Sequence, residues 1–149
     1  MKVGFIGLGN VGGKLAGSLL RNGHDVTVRD LDPLAAQAFL DKGAHWADSP
    51  RELAEAVDMV ITCLPSPTAC SLVMESEDGI IADLSEGKIW LEMSTTDDAE
   101  LRRIAELVLA TGPERWKRRY RVVVIAPRRA TSPSSLEVIV NRSSRYCRY

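Results

Sequence analysis

Residues 2–30 read K-V-G-F-I-G-L-G-N-V-G-G-K-L-A-G-S-L-L-R-N-G-H-D-V-T-V-R-D. The first five are a short apolar run ending at glycine, which reads as a buried strand. Residues 10–22 follow with apolar positions at Val11, Leu15, Leu19 and Leu20, a helical spacing that Gly23 stops. Residues 25–29 are rich in β-branched side chains and predict a second strand. Between strand and helix stands Gly7-Leu8-Gly9-Asn10-Val11-Gly12, a G-x-G-x-x-G, with Asp30 lying 18 residues past Gly12. A glycine-rich turn that merely packs a strand on a helix would show the same glycines. The preceding strand, the following helix and the acid at that distance favour a dinucleotide site.

Each residue type has a job in that chemistry. Gly7 permits the tight turn, Gly9 lets backbone approach a pyrophosphate, and Gly12 lets the helix pack close to the sheet. The phosphates then rest on free amides at a helix N-terminus. Asp30 can accept hydrogen bonds from both ribose hydroxyls and repel a 2′-phosphate, which favours NAD; the alternative for Asp30 is a solvated loop acid beside Asp32. Arg29, one residue away, leaves NADP open, although strand alternation points the two side chains to opposite faces.

The alternation continues outward. Asp32 before Pro33 predicts a helix cap, with the helix running to about residue 42. Residues 44–47 form a weak third strand, and Ser49-Pro50 opens a helix to about Ala56. Residues 58–63 (D-M-V-I-T-C) predict a fourth strand, followed by a two-proline loop over 64–68, a helix over 69–74 and an exposed acidic stretch over 75–78. Residues 88–93 predict a fifth strand; Thr96 or Asp97 then starts a helix with Leu101, Ile104, Leu107 and Leu109 as its apolar positions. Five strand–helix alternations imply an α/β, Rossmann-type, doubly wound parallel sheet with helices on both faces.

Composition bounds the rest. The chain has 149 residues, 45% of them apolar, enough for one core. Net charge is −1, which gives no case for nucleic acid or a membrane surface. No apolar run approaches the ~18–20 residues of a span, and the strand at the N-terminus leaves no room for a signal peptide. Three cysteines without a C-x-x-C pair argue against a zinc site or a disulfide scaffold, so no metal is expected and the cytoplasm is the expected compartment. The charge is nonetheless split. Residues 1–112 hold 9 basic and 18 acidic side chains, whereas residues 113–149 hold 10 and 2. All 11 glycines lie at or before Gly112. The chain therefore divides into a dinucleotide-binding domain, 1–112, and a divergent Arg-rich tail, 113–149. Within the tail, residues 122–126 and 136–140 are strand-like. They add an edge strand or stay loose; poor order is the expectation, with the tail dispensable for folding.

Residues 4–30 resemble the opening of the β-hydroxyacid dehydrogenases, the family of 3-hydroxyisobutyrate dehydrogenase and tartronate semialdehyde reductase, related to 6-phosphogluconate dehydrogenase. Cys63-Leu64-Pro65-Ser66 resembles that family's loop after the fourth strand, which lies along the cofactor. Glu92-Met93-Ser94-Thr95-Thr96 resembles its D-x-S-T motif, whose threonine approaches the nicotinamide. The resemblance implies a cofactor site of Gly7, Leu8, Gly9, Asn10, Val11, Gly12, Asp30, Leu64, Pro65 and Thr95. It also implies hydride transfer between a nicotinamide cofactor, NAD or NADP, and a small β-hydroxyacid. Val11 stands where methionine is usual, Ser18 where asparagine is, and Glu92 where aspartate is.

The family's chemistry also uses a lysine on a helical second domain and a D-x-P-V-S-G-G substrate loop after the fifth βα unit. At that place this chain reads Glu114-Arg115-Trp116-Lys117-Arg118-Arg119-Tyr120-Arg121. No catalytic residue carries over. Back-translating from Glu114 with permitted codons and reading another frame gives T-L-E-A-P-V-S-G-G, which resembles the substrate loop. A shift of reading frame near Gly112 is therefore expected, with the substrate domain missing and the chain alone inactive. The rival readings are a non-catalytic dinucleotide module and an inactive truncated gene product. Oligomeric state is left open. His24 reads as a turn residue, His45 and Trp46 as strand packing, and Cys63 and Cys70 as small apolar residues near a sheet edge. Nothing marks Cys147 as reactive. The tail's arginines lack the aromatic platform of a nucleic-acid arm.

Overall fold

The computed structural model describes residues 1–84, 88–94, 98–111 and 121–124. Among the described residues, six strands, β1 (Lys2–Ile6), β2 (Asp25–Arg29), β3 (His45–Trp46), β4 (Met59–Thr62), β5 (Ile89–Glu92) and β6 (Arg121–Val124), form one sheet in the order β3-β2-β1-β4-β5-β6. Every pairing is parallel. This is the doubly wound Rossmann order, with its switch point between β1 and β4.

Among the described residues, five α-helices cover the two faces: α1 (Gly12–Arg21), α2 (Pro33–Leu40), α3 (Pro50–Ala56), α4 (Pro67–Glu75) and α5 (Asp98–Thr111). Strand alternation divides the core in two. Val3, Phe5, Val26, Val28 and Ile61 pack with Ala16 of α1 and Ala36 of α2. Ile6, Val60 and Trp90 pack on the other face with Leu53 of α3, Met74 of α4 and Ile104 of α5. Gly4 makes the second face possible, because a Cβ there would overlap the Leu53 side chain. Lys88 ties this face to the sheet: its ammonium donates to the Ala54 carbonyl and, at 2.8 Å, to the Glu55 carbonyl, closing the end of α3.

The helix ends follow local chemistry. Asp32 caps α2 by accepting the Leu34 N–H at 3.0 Å, and Ser49 caps α3 by accepting the Glu52 N–H at 3.1 Å, each before a proline. α1 stops where Gly23 donates to the Leu20 carbonyl and His24 to the Leu19 carbonyl, the paired bonds of a Schellman end.

Several expectations are corrected. α1 begins at Gly12, so Asn10 and Val11 belong to the turn. α4 begins at Pro67, because Ser66 caps it through the Ala69 N–H at 3.2 Å. The buried stripe of α5 is Leu101, Ile104, Ala105 and Val108; Leu107 is only half-buried, and the Leu109 side chain lies outside the described residues. His45 is exposed, 3.5 Å from Asp25, and does not pack. Cys70 sits inside the core rather than at a sheet edge. In the tail, residues 121–124 pair in parallel with β5, one residue earlier than the strand expected over 122–126; residues 125–126, 136–140 and Cys147 lie outside the described residues. Among the described residues no helix is long and apolar enough to cross a membrane.

Candidate functional site

β1 ends at Ile6 and the chain turns at once. Gly7 has φ +96°, a conformation that L side chains rarely adopt, and any Cβ there would overlap the Cys63 carbonyl. Its N–H donates to the Arg29 carbonyl at 3.0 Å, which fixes the turn between β1 and β2. A Cβ on Gly12 would overlap the Gly7 carbonyl. Two of the three motif glycines are therefore demanded by the protein's own packing. Gly9 is different: a Cβ there would meet nothing within 4 Å. The packing does not explain this glycine, and the open space in front of it is where backbone can approach an external group.

Around that space lie amides. Among the described residues, no protein acceptor meets the N–H groups of Gly9, Asn10, Val11 or Gly12, and α1 has no side-chain cap. Gly9, Asn10 and Val11 are exposed, and Leu8 is buried as an anchor. Free donors at a helix start suit an anion. The residues present thus fit a pyrophosphate.

Asp30 organises the rim. Its Oδ2 accepts the Leu8 N–H at 2.6 Å and its Oδ1 accepts the Asp32 N–H at 3.0 Å. The carboxylate is held at the C-terminal end of β2, clipped to the glycine turn. Asp30 is half-buried and bonded to the backbone of both Leu8 and Asp32. Arg29 turns the other way, its guanidinium over the Trp46 ring at 5.1 Å from the centroid.

Across the switch point, Cys63 donates its N–H to the Ile6 carbonyl at 2.9 Å, so the loop after β4 starts beside the glycine turn. Leu64 is half-buried and Pro65 exposed. The Leu64 N–H donates to the Ser94 hydroxyl oxygen at 2.6 Å. Thr95, the remaining predicted site residue, lies outside the described residues.

Behind these loops is a buried polar cluster that the sequence reading did not assemble. Glu92 is fully buried. Its carboxyl group accepts the Ser94 N–H at 2.5 Å, the Thr62 hydroxyl and the Cys70 thiol at 3.5 Å. The Trp90 indole N–H in turn donates to the Thr62 hydroxyl oxygen at 2.9 Å. Burial, and secondarily the Glu92 carboxylate, pushes the Cys70 thiol up to about 12. Burial also raises Cys63. The signal for this cluster was the Glu92 in the D-x-S-T position, but its partners come from β4 and α4 and needed the fold.

The geometry has close relatives. The family model for the NAD binding domain of 6-phosphogluconate dehydrogenase matches residues 2–115. The chain belongs to this family. Residues 2–115 are thus an NAD-binding domain of that family. It is 34% identical over 110 residues to 3-hydroxyisobutyrate dehydrogenase of Pseudomonas aeruginosa, a match covering 74% of this chain and 37% of that one. A solved 3-hydroxyisobutyrate dehydrogenase from Salmonella typhimurium superposes with a TM-score of 0.70 and 28% identity, over 82% of this chain and 40% of that one. A reductive aminase from Aspergillus terreus in complex with NADPH and ethyl levulinate gives 0.67 and 26%, over 83% and 39%. The chain spans about a third of the length of the curated 3-hydroxyisobutyrate dehydrogenases it matches.

Proposed function

We propose that residues 1–112 hold NAD across the switch point between β1 and β4, as the cofactor half of an oxidoreductase acting on a small, 3-hydroxyisobutyrate-like β-hydroxyacid. The observation that carries the site is the contrast among the motif glycines: Gly7 and Gly12 are filled by the protein, whereas Gly9 faces open space lined by free amides. In this reading the amides from Gly9 to Gly12 take the pyrophosphate, with Leu8 anchoring the turn. Asp30 takes the ribose hydroxyls, Leu64 and Pro65 flank the cofactor, and Thr95 stands at the nicotinamide end. The cofactor supplies the hydride acceptor; the chain's residues bind and orient it.

Asp30 favours NADH over NADPH by about 1–3 kcal/mol, from lost ribose bonds and charge repulsion. Fluorescence titration with both nucleotides tests this. Asp30→Ala weakens NADH far more than NADPH. Preference for NADPH in the parent protein would overturn the assignment.

The chain as given binds dinucleotide without turning over a β-hydroxyacid. Hydride transfer needs a positioned substrate and a group that takes the hydroxyl proton. Residues 114–121 do not match the family's substrate loop. A panel of β-hydroxyacids assayed for NADH formation decides the point, since turnover that vanishes in Gly9→Val would sink it. Restoring the other reading frame near Gly112, with the sequence downstream, switches activity on.

A further inference from the structure

Arg29 ends β2 next to Asp30, and its placement has a cost. The guanidinium lies over the Trp46 ring, 5.1 Å from the centroid, and Nη1 donates to the Asp30 backbone carbonyl. Its Nε is buried and, among the described residues, has no acceptor. A buried donor left unpaired is unfavourable, so something must hold the side chain there. The ring is itself held. The Trp46 indole N–H donates to Asp48 Oδ1 at 2.8 Å, and the Asp48 N–H donates to Glu52 Oε2 at 2.7 Å. Glu52 lies in the first turn of α3, where Ser49 accepts its N–H. β3 places Trp46 beside Val28, one residue before Arg29. The ring is thus tethered to α3 and presents its face to a cation with an unused donor.

We infer that Trp46 is a positioning residue that sets the choice of cofactor, by keeping Arg29 off the adenosine ribose. With Arg29 on the ring, the group facing the ribose is the Asp30 carboxylate, and a 2′-phosphate meets only repulsion. Released, the guanidinium starts from the Asp30 carbonyl and needs only to swing about its own side-chain bonds to meet a phosphate. There it gains charge-assisted, two-pronged bonds, including one for Nε. This rests on the ribose lying at Asp30, as proposed above.

The test is the ratio of NADPH to NADH dissociation constants, by fluorescence titration, with melting curves recorded alongside. Trp46→Leu removes the ring and moves the ratio about tenfold toward NADPH, through tighter NADPH binding. Trp46→Phe keeps a ring face and moves it less. Adding Arg29→Gln to Trp46→Leu restores the parent ratio. Arg29→Gln alone leaves the ratio unchanged, because the parked guanidinium contributes nothing to it; this arm stands even if Trp46→Leu does not fold. An unchanged ratio in folded Trp46→Leu overturns the inference. So does a shift that persists without Arg29, or a loss of NADPH affinity in Arg29→Gln alone. Failure of the parent protein to bind either nucleotide would instead overturn the site at Asp30.

Discussion

The Ser94 hydroxyl oxygen accepts the Leu64 backbone N–H at 2.6 Å, across the gap between the loops that follow β4 and β5. Ser94 is itself held from behind by Glu92. Ser94→Ala leaves the Leu64 N–H without an acceptor in a half-buried setting, which costs about 1–3 kcal/mol. A lower denaturation midpoint with an unchanged slope is the expected result, together with severalfold weaker NADH binding as the loop loosens. Equal NADH affinity in the folded variant would show that this loop does not line the cofactor.

Gly9 and Gly12 respond differently to the same change. Gly9→Val keeps the fold, since a Cβ there meets nothing, and abolishes nucleotide binding by filling the space in front of the turn. Gly12→Val forces a side chain into the Gly7 carbonyl and lowers the melting temperature outright. Circular dichroism melts paired with NADH titration separate the two.

Acid stability depends on a surface network between α4 and α5. Arg103 pairs with Glu75 and, at 2.7 Å, with Glu100, while the Ser71 hydroxyl donates to Glu100. Arg103, followed by Ser71, lowers the Glu100 carboxyl from 4.5 to about 2, and Arg103 also lowers Glu75. A depressed carboxyl stabilises the fold above its unfolded value, and that contribution disappears as pH falls toward the folded value. Stability conferred here is full above about pH 5 and lost between roughly pH 4.5 and 2. Arg103→Gln shifts acid unfolding, followed by tryptophan fluorescence, to higher pH, and added salt narrows the gap between the variants.

The Cys70 thiol gives the opposite pH dependence. Its value rises from 9.0 to about 12 on folding. The folded state therefore keeps a proton that the unfolded state releases, and stability declines as pH climbs above 9. In a Cys63→Ser, Cys147→Ser background, Cys70 resists a disulfide reagent at pH 8 until the protein unfolds. Rapid native labelling of Cys70 would place the thiol outside the core.

Much of this fold is visible along the sequence because its signals are local. Asp32-Pro33 and Ser49-Pro50 state a cap and a first turn within two residues, and both helices start there. Ser66-Pro67 uses the same grammar, yet with Pro65 just before it the stretch reads as a two-proline loop and the helix is expected only from residue 69. In α5 the apolar residues are dense enough that helical spacing alone does not choose between Leu107 and Val108; packing against α4 and β5 does. The candidate site divides in the same way. The glycine turn and Asp30 are spaced along one βαβ unit and can be read directly. The bond from Asp30 to Leu8, the Arg29–Trp46 stack and the Glu92 cluster join residues from separate elements, and they exist only once strand order and register are fixed.

The place of β1 has a consequence for how the chain comes to be folded. β1 is made first, yet it lies in the middle of the sheet. On one side it pairs with β2, which follows after a single helix. On the other it waits for β4, with Lys2 meeting Asp58 across 56 residues of chain. During synthesis the β3-β2-β1 half can assemble while the far edge of β1, with Val3 and Phe5 beside it, is still unpaired. An unpaired strand edge in a nascent chain invites pairing with another copy. Slow translation between Ala47 and Met59 therefore lengthens the period of greatest aggregation risk, and the closing of β4 onto β1 ends it.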